Sequence, residues 1–246
     1  MRHHIEHLSS GALPWRTLAP GVFCKMLNHN PESGDRTALF RFDPDQGAAV
    51  PGACHYHSVY EELLILDGAM TFDHQTWLTA HGYVFHPAFA VHGFDSAVPV
   101  PTTFLGRSPA DLDFNFPDAR DACEPFMVEG ATASRPVTYL NPPDETSWTG
   151  LPGPDGAPMG RRLVLSEDRE TGERSSLIRF HPGARLPALP EGHAKCHEGF
   201  VLQGRIRADD GTEWTGGDYW HRRPEKPVPA LEIPEHTLLF ASTGAS

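Results

Sequence analysis

The feature that most constrains this chain is that it says the same thing twice. Residues 32–52 read ESGDRTALFRFDPDQGAAVPG and residues 170–190 read ETGERSSLIRFHPGARLPALP. An acidic turn (Gly34, Asp35, Arg36; Gly172, Glu173, Arg174) leads into a run ending Arg-Phe, and Pro44 and Pro182 follow at the same distance. Further along, LLILDG at Leu63–Gly68 answers GFVLQG at Gly199–Gly204, and GYVFHP answers GGDYWHRRP. Self-similarity over such a length means two copies of one structural unit.

Each copy is a series of short β-branched or aromatic runs punctuated by Gly and Pro. With 23 Gly and 24 Pro spread along 246 residues, long helices have few places to form, and an antiparallel sandwich or barrel per copy is expected. The stretch from Pro136 to Pro158 opens the second copy, where Trp148 answers Trp15, so the division is expected near residue 130: a first domain over 1–130 and a second over 131–246. Arg41 and Arg179 recur at one place in both copies and read as structural ion pairs.

Charge narrows the partners. Twenty basic against 32 acidic residues leave a formal charge of -12, which repels nucleic acid and anionic membranes. Cys24, Cys54, Cys123 and Cys196 form no Cys-x-x-Cys and suit a reducing compartment. The start MRHHIEHLSSG carries no apolar core of a leader, so a cytoplasmic location is expected.

The chemistry gathers in the first copy. His55 and His57 form a His-x-His pair, and two residues apart on an extended strand they face the same way. Glu61 follows four residues later and keeps that parity; Glu62 does not, and is expected to point outward or to support a neighbour. Downstream, Gly82, Pro87 and His92 stand in a row, with His81 and His86 flanking them as histidines more ordinarily hydrogen-bonded in a core. Phe94, two residues past His92, and Phe104 on the next strand are candidates to wall a substrate cavity. Cys54 should alternate to the face opposite His55.

The succession His-x-His-x3-Glu-x6-Gly and Gly-x4-Pro-x4-His, carried by His55, His57, Glu61, Gly68, Gly82, Pro87 and His92, resembles the two motifs of the cupin superfamily. The lead-in PWRTLAPGVFCKML, the LFRFDP run and the later GDYWHRRP resemble more closely the ChrR-like cupins, whose relatives include an anti-sigma cupin domain and acetylacetone-cleaving and dihydroxyacetophenone-type dioxygenases. The resemblance covers nearly the whole chain and implies an all-β bicupin: two tandem jelly-roll, double-stranded β-helix barrels. It also implies a divalent transition metal on His55, His57, Glu61 and His92, with Glu61 either a ligand or a support, because some of these dioxygenases use three histidines alone. Fe2+ is favoured, with Zn2+, Ni2+ and Mn2+ as alternatives. One departure stands out: the glycine usual two residues after Pro87 is Phe89, at the turn that presents His92.

In the second copy, a shift of 136 residues carries Gly68 onto Gly204, His57 onto His193, Glu61 onto His197 and His55 onto Glu191, while no histidine answers His92. Glu191, His193 and His197 are therefore a candidate second site in a copy retained mainly for structure.

The leading expectation is an Fe(II) dioxygenase acting on a small diketone or aromatic ketone, with a homodimer as a candidate assembly. A non-redox metal-dependent isomerase, cyclase or hydrolase is the alternative. A non-enzymatic sensor cupin ranks third, since no partner-binding helix follows TLLFASTGAS.

Overall fold

The two copies become two seven-stranded antiparallel sheets with the same strand order. A computed structural model describes residues 2–118, 122, 124–141, 144–154, 156–189 and 195–244. In one sheet the order is Thr138–Leu140, Tyr83–His86, Glu61–Asp67, Thr102–Ala110, Gly34–Phe42, Val22–His29, Arg16–Ala19. In the other it is Ile5–Ser9, Asp218–Arg222, Cys196–Gln203, Thr237–Gly244, Arg174–Phe180, Pro158–Glu167, Thr149–Pro152. Among the described residues the only helices are single 3-10 turns such as Pro44–Gln46, and no helix is long and apolar enough to cross a membrane.

The repeat register holds down to single atoms. Gly68 and Gly204 both take φ 87, and a β-carbon on either would fall 2.5 Å or less from the carbonyl of Pro101 or His236, a left-handed turn open to glycine alone. After each, one threonine hydroxyl clamps the chain: Thr102 Oγ1 accepts from Ala69 N at 3.0 Å, and Thr237 Oγ1 from Arg205 N at 3.0 Å.

The chain separates into two compact units, Met1–Arg2 with Pro14–Pro143, and His3–Leu13 with Asp144–Ser246. The division thus lies beyond residue 130, and it is not sequential. Thr138–Leu140 pairs with Tyr83–His86 and belongs to the first unit, while Ile5–Ser9 pairs with Asp218–Arg222 and belongs to the second. Backbone pairing decides this, because an edge strand left bare exposes a row of unmet N–H and C=O groups.

Each unit has its own core. In the first, Leu63, Ile65, Met70, Phe72, Leu78, Val84 and Phe104 cluster; in the second, Ile178, Phe180, Val201, Trp214, Trp220, Ile233 and Leu239 are prominent. The run ELLIL is continuous rather than alternating because both faces of that strand are covered: Leu64 and Ile65 are equally buried. Arg41 pairs with Asp43 at 3.1 Å, and Arg179 pairs with Glu145 at 2.6 Å while lying 4.2 Å over Trp148. Among the described residues Cys24, Cys54 and Cys196 form no disulfide; Cys123 lies outside them.

Candidate metal centre

Beside the large sheet of the first unit, the second layer is built from isolated bridges, and one of them joins His55 to His92. His57 lies two residues on from His55 and also turns inward, so three buried imidazoles converge, their donor nitrogens all within 4.8 Å. Each ring is held from behind. His55 Nδ1 meets the carbonyl of Ala53 at 3.0 Å, His92 Nδ1 that of Ala90 at 2.9 Å, and His57 Nδ1 that of Asp113. Only a protonated Nδ1 can donate to a carbonyl, so in the neutral ring Nε2 carries the lone pair. The Nε2 atoms of His57 and His92 are buried with no hydrogen-bond partner.

Glu61 closes the group. As the first residue of Glu61–Asp67, it stands directly across from His86 on the neighbouring strand. Its Oε2 lies 3.6 Å from His92 Nε2, 4.0 Å from His57 Nε2 and 3.1 Å from His86 Nδ1. His86 stacks on His92 with centroids 3.7 Å apart, and its far nitrogen meets the Tyr139 hydroxyl at 2.7 Å. A chain thus runs Glu61, His86, Tyr139, aiming the carboxylate at the three imidazoles.

Protonation suits coordination. Burial pushes His92 down from 6.5 to about 2, with repulsion from His86 acting the same way. Burial likewise lowers His55 and His86. For Glu61 burial works upward, but the His86 hydrogen bond and the His92, His86 and His57 rings outweigh it and hold the carboxyl at about 2. Near neutral pH the cluster is therefore a carboxylate facing rings that burial keeps from protonating at His55, His86 and His92, with the Nε2 atoms of His57 and His92 left without a hydrogen-bond partner. That donor set fits a divalent transition ion, and stranded buried nitrogens of this kind are what an ion would satisfy.

Glu62 does not face outward. It points to the opposite face and is 1 % exposed there, accepting from Tyr83 Oη at 2.6 Å and from Arg107, with Arg135 Nη2 at 3.9 Å. Parity separates Glu61 from Glu62, but both faces of this strand are buried, so the second acid is enclosed by cations. The second unit repeats the pair: Tyr219 Oη donates to Glu198 at 2.6 Å.

A cavity of about 160 Å³ opens beside His55 and Glu61, walled by Phe40, Phe42, Leu63, Met70, Phe72 and Phe104. Phe104 is where its strand placed it, stacked on Phe40 with centroids 5.5 Å apart. Phe94 is not in this wall. Gly93 takes φ 77, which ends the strand alternation after His92, and Phe94 turns towards Phe126 instead. The left-handed Gly93 also makes room for His55, whose Cε1 a β-carbon there would approach to 3.0 Å. The turn at Phe89 survives the loss of glycine: Phe89 itself takes φ 64, and Ala90 N closes on Pro87 O at 3.1 Å.

Several site residues escaped sequence reasoning. Phe114 lies 5.1 Å from the His55 ring and 4.9 Å from His57, edge-on to the latter, and Phe116 lies 6.0 Å from His55. They sit on a strap after Thr102–Ala110, pinned where Tyr56 and Asn115 pair and where Ser58 N reaches Asp113 Oδ1 at 2.7 Å. That hydrogen bond, with others from Asn115 and Ser58, holds the Asp113 carboxyl at about 2. Alternating aromatics in DFNFP were the available signal; Tyr139 offered none.

In the second unit His197 stands across from Arg222, as Glu61 does from His86. Glu191 and His193 lie outside the described residues. Among the described residues, clustered metal donors occur in the first unit alone.

The ChrR cupin-like domain family matches residues 5–110 and again 140–246. The chain is a ChrR-type bicupin. No match was found among curated proteins. Of solved structures, a candidate dioxygenase from Nostoc punctiforme superposes with a TM-score of 0.78 at 15% identity, covering 99% of this chain and 87% of that one. The Ylba protein of E. coli gives 0.64 at 14% identity, covering 97% and 90%. A variant of oxalate decarboxylase from Bacillus subtilis gives 0.58 at 14%, covering 98% and 77%. At such identities the likeness establishes the cupin fold and leaves the activity open.

Proposed function

We propose that this bicupin is a metal-dependent oxygenase, with Fe(II) held by His55, His57, His92 and Glu61 and a small diketone or aromatic ketone as substrate. The observation that carries the reading is the convergence of unpartnered His57 and His92 Nε2 atoms on Glu61 at the end of an apolar cavity. A divalent ion there supplies Lewis acidity and open positions, and iron adds the ability to react with dioxygen. The protein's part is placement. Backbone carbonyls behind each Nδ1 fix the tautomers, and His86 keeps Glu61 ionised and aimed. Phe72 and Phe104 give the substrate an apolar bed, and the strap bearing Phe114 limits water at the mouth. The dioxygenase description of the Nostoc punctiforme structure supports this reading.

The test is anaerobic loading with Fe(II), followed by oxygen uptake on acetylacetone and hydroxyacetophenones. Uptake stoichiometric with substrate loss is expected; silence with iron fully bound sinks the proposal.

The hydrogen-bonded chain Glu61, His86, Tyr139 favours one second reading, a non-redox isomerase or hydrolase in which Glu61, backed by His86 and Tyr139, moves a proton at the substrate. Turnover under argon with Zn2+ in place of iron distinguishes it.

A further inference from the structure

The second barrel keeps a cavity but changes its chemistry. This cavity, about 300 Å³, is floored by Ile178, Phe180, Trp220 and Leu239. A shift of 136 residues carries His92 onto Val228 and His86 onto Arg222, and Val228 lines the space. Two arginines also enter it, Arg162 and Arg174. Arg174 alternates with Ser176, Ile178 and Phe180 along Arg174–Phe180, so all four share the inward face. Arg162 stands across from Ile178, the place that buried Cys24 holds opposite Phe40 in the first unit.

These cations are poorly matched. Arg162 Nε is buried without a hydrogen-bond partner, and among the described residues no carboxylate pairs with its guanidinium. Among the described residues Arg174 is paired with Glu167 alone, at 3.9 Å. Glu198, the acid that lines the cavity, is bound by Tyr219 Oη at 2.6 Å. Burial lowers the Arg162 guanidinium from its ordinary value, and the charge of Arg174 lowers it further, the signature of two like charges drawn together without an anion between them. Such a pair repels a divalent ion. It suits a carboxylate, whose two oxygens match the guanidinium fork and whose charge removes the repulsion.

We propose that the second barrel is a binding site for a small organic carboxylate, its anionic group held by Arg162 and Arg174 and its apolar body lying on Ile178, Phe180 and Leu239. Ser176 and Thr243, on the same walls, offer hydroxyls to the remaining lone pairs.

The test is calorimetric titration of the full-length, metal-stripped chain with benzoate, with benzamide as a neutral control of the same shape and inorganic phosphate as an anion without an apolar body. One saturable benzoate site is expected, with benzamide and phosphate at least about tenfold weaker, the difference one charge-assisted contact or a lost apolar body makes. Arg162→Met and Arg174→Met should each weaken benzoate by a similar factor. No saturation by about 10 mM benzoate, beyond the millimolar end of useful affinity, overturns the proposal. So does benzamide or phosphate binding as tightly as benzoate, or unchanged affinity in both folded variants. The contrast between benzoate and benzamide needs no variant, so a substitution that fails to fold leaves the case decidable.

Discussion

His55 and His92 lie directly opposite one another and exchange both backbone hydrogen bonds of a single bridge, His55 N to His92 O at 2.9 Å and His92 N to His55 O at 2.8 Å. Each ring also donates Nδ1–H to the carbonyl two residues before it. One local pattern, used twice, thus sets both rings at a centroid separation of 4.6 Å before any ion arrives. His92→Ala should bind Fe(II) or Zn2+ at least about 10–100-fold more weakly, the range seen even for residues that merely support a ligand. Its metal-free melting temperature should also fall, because the deleted ring leaves the Ala90 carbonyl without its donor and a buried hole beside His86, so the ligand role is read from the metal-dependent rise alone. At metal a hundredfold above Kd the parent gains about 2.7 kcal/mol; in the variant, with about 10–100-fold weaker binding, the gain should shrink to about 0.4–1.4 kcal/mol, and the metal-dependent rise in melting temperature with it. Scanning fluorimetry with and without metal reads both outcomes, and an undiminished rise would count against His92 as a ligand.

Glu61 and Glu62 are neighbours with opposite work. Glu62 is enclosed by Arg107, Arg135 and Tyr83, so Glu62→Gln removes the negative charge from a buried ion pair and should destabilise the metal-free chain by about 3–5 kcal/mol. Glu61→Gln keeps a hydrogen-bond partner for His86 but gives up the ionised carboxylate's share of stability, so it should lose metal affinity while destabilising the metal-free chain by less than Glu62→Gln does. Urea denaturation and elemental analysis of the two variants check the exchange of effects. Equal destabilisation by both would mean that Glu61 is structural.

Much of this was legible in the sequence, and the failures have definite causes. The repeat, the inward His55 and His57 and the parity of Glu61 depend on chemistry within a few residues, which sequence displays. Phe94 was misplaced because the period of two was carried through Gly93, where the chain turns left-handed. Of the two places expected for Glu62, outward or beside a neighbour, alternation favours the first only where a strand has one wet face, and this strand buries Glu62. His86 and Tyr139 owe their roles to partners across strands, Glu61 being 25 residues before His86 and Tyr139 53 after it, and no local spacing encodes such pairing. The same holds for Ile5–Ser9, which finds its edge in the second unit rather than beside the repeat it introduces.

Phe89 takes φ 64 in a turn where a glycine would be at ease. A left-handed non-glycine residue costs about 1–2 kcal/mol, against which its 39% exposed ring recovers little. Phe89→Gly should therefore raise stability, by up to about 1 kcal/mol once the added freedom of the unfolded chain is discounted. The measurement is the urea midpoint at constant slope, with metal stoichiometry unchanged. A drop in the midpoint would show that the ring's contact with Tyr56, at 6.1 Å between centroids, outweighs the strain.

Acid should unfold the metal-free chain earlier than its exposed carboxylates alone would require. His92 falls from 6.5 to about 2 in the folded state, and burial shifts His55 and His86 in the same direction. Above pH 6.5 these rings are neutral whether folded or not, and they add no slope. Below it the unfolded chain takes up protons that the folded chain refuses, so stability falls with pH, by about 1.4 kcal/mol per pH unit for each fully depressed ring. Glu61, lowered from 4.5 to about 2, contributes stability that is present above 4.5 and is lost on acidification towards 2, which steepens the fall. The urea midpoint of the metal-free chain should be level from pH 8 to about 7 and decline from about 6.5 downward. His92→Gln should make that decline shallower by close to one ring's share. A midpoint that rises on acidification through pH 6, or a slope that His92→Gln leaves untouched, would mean that the buried imidazoles are charged in the folded chain.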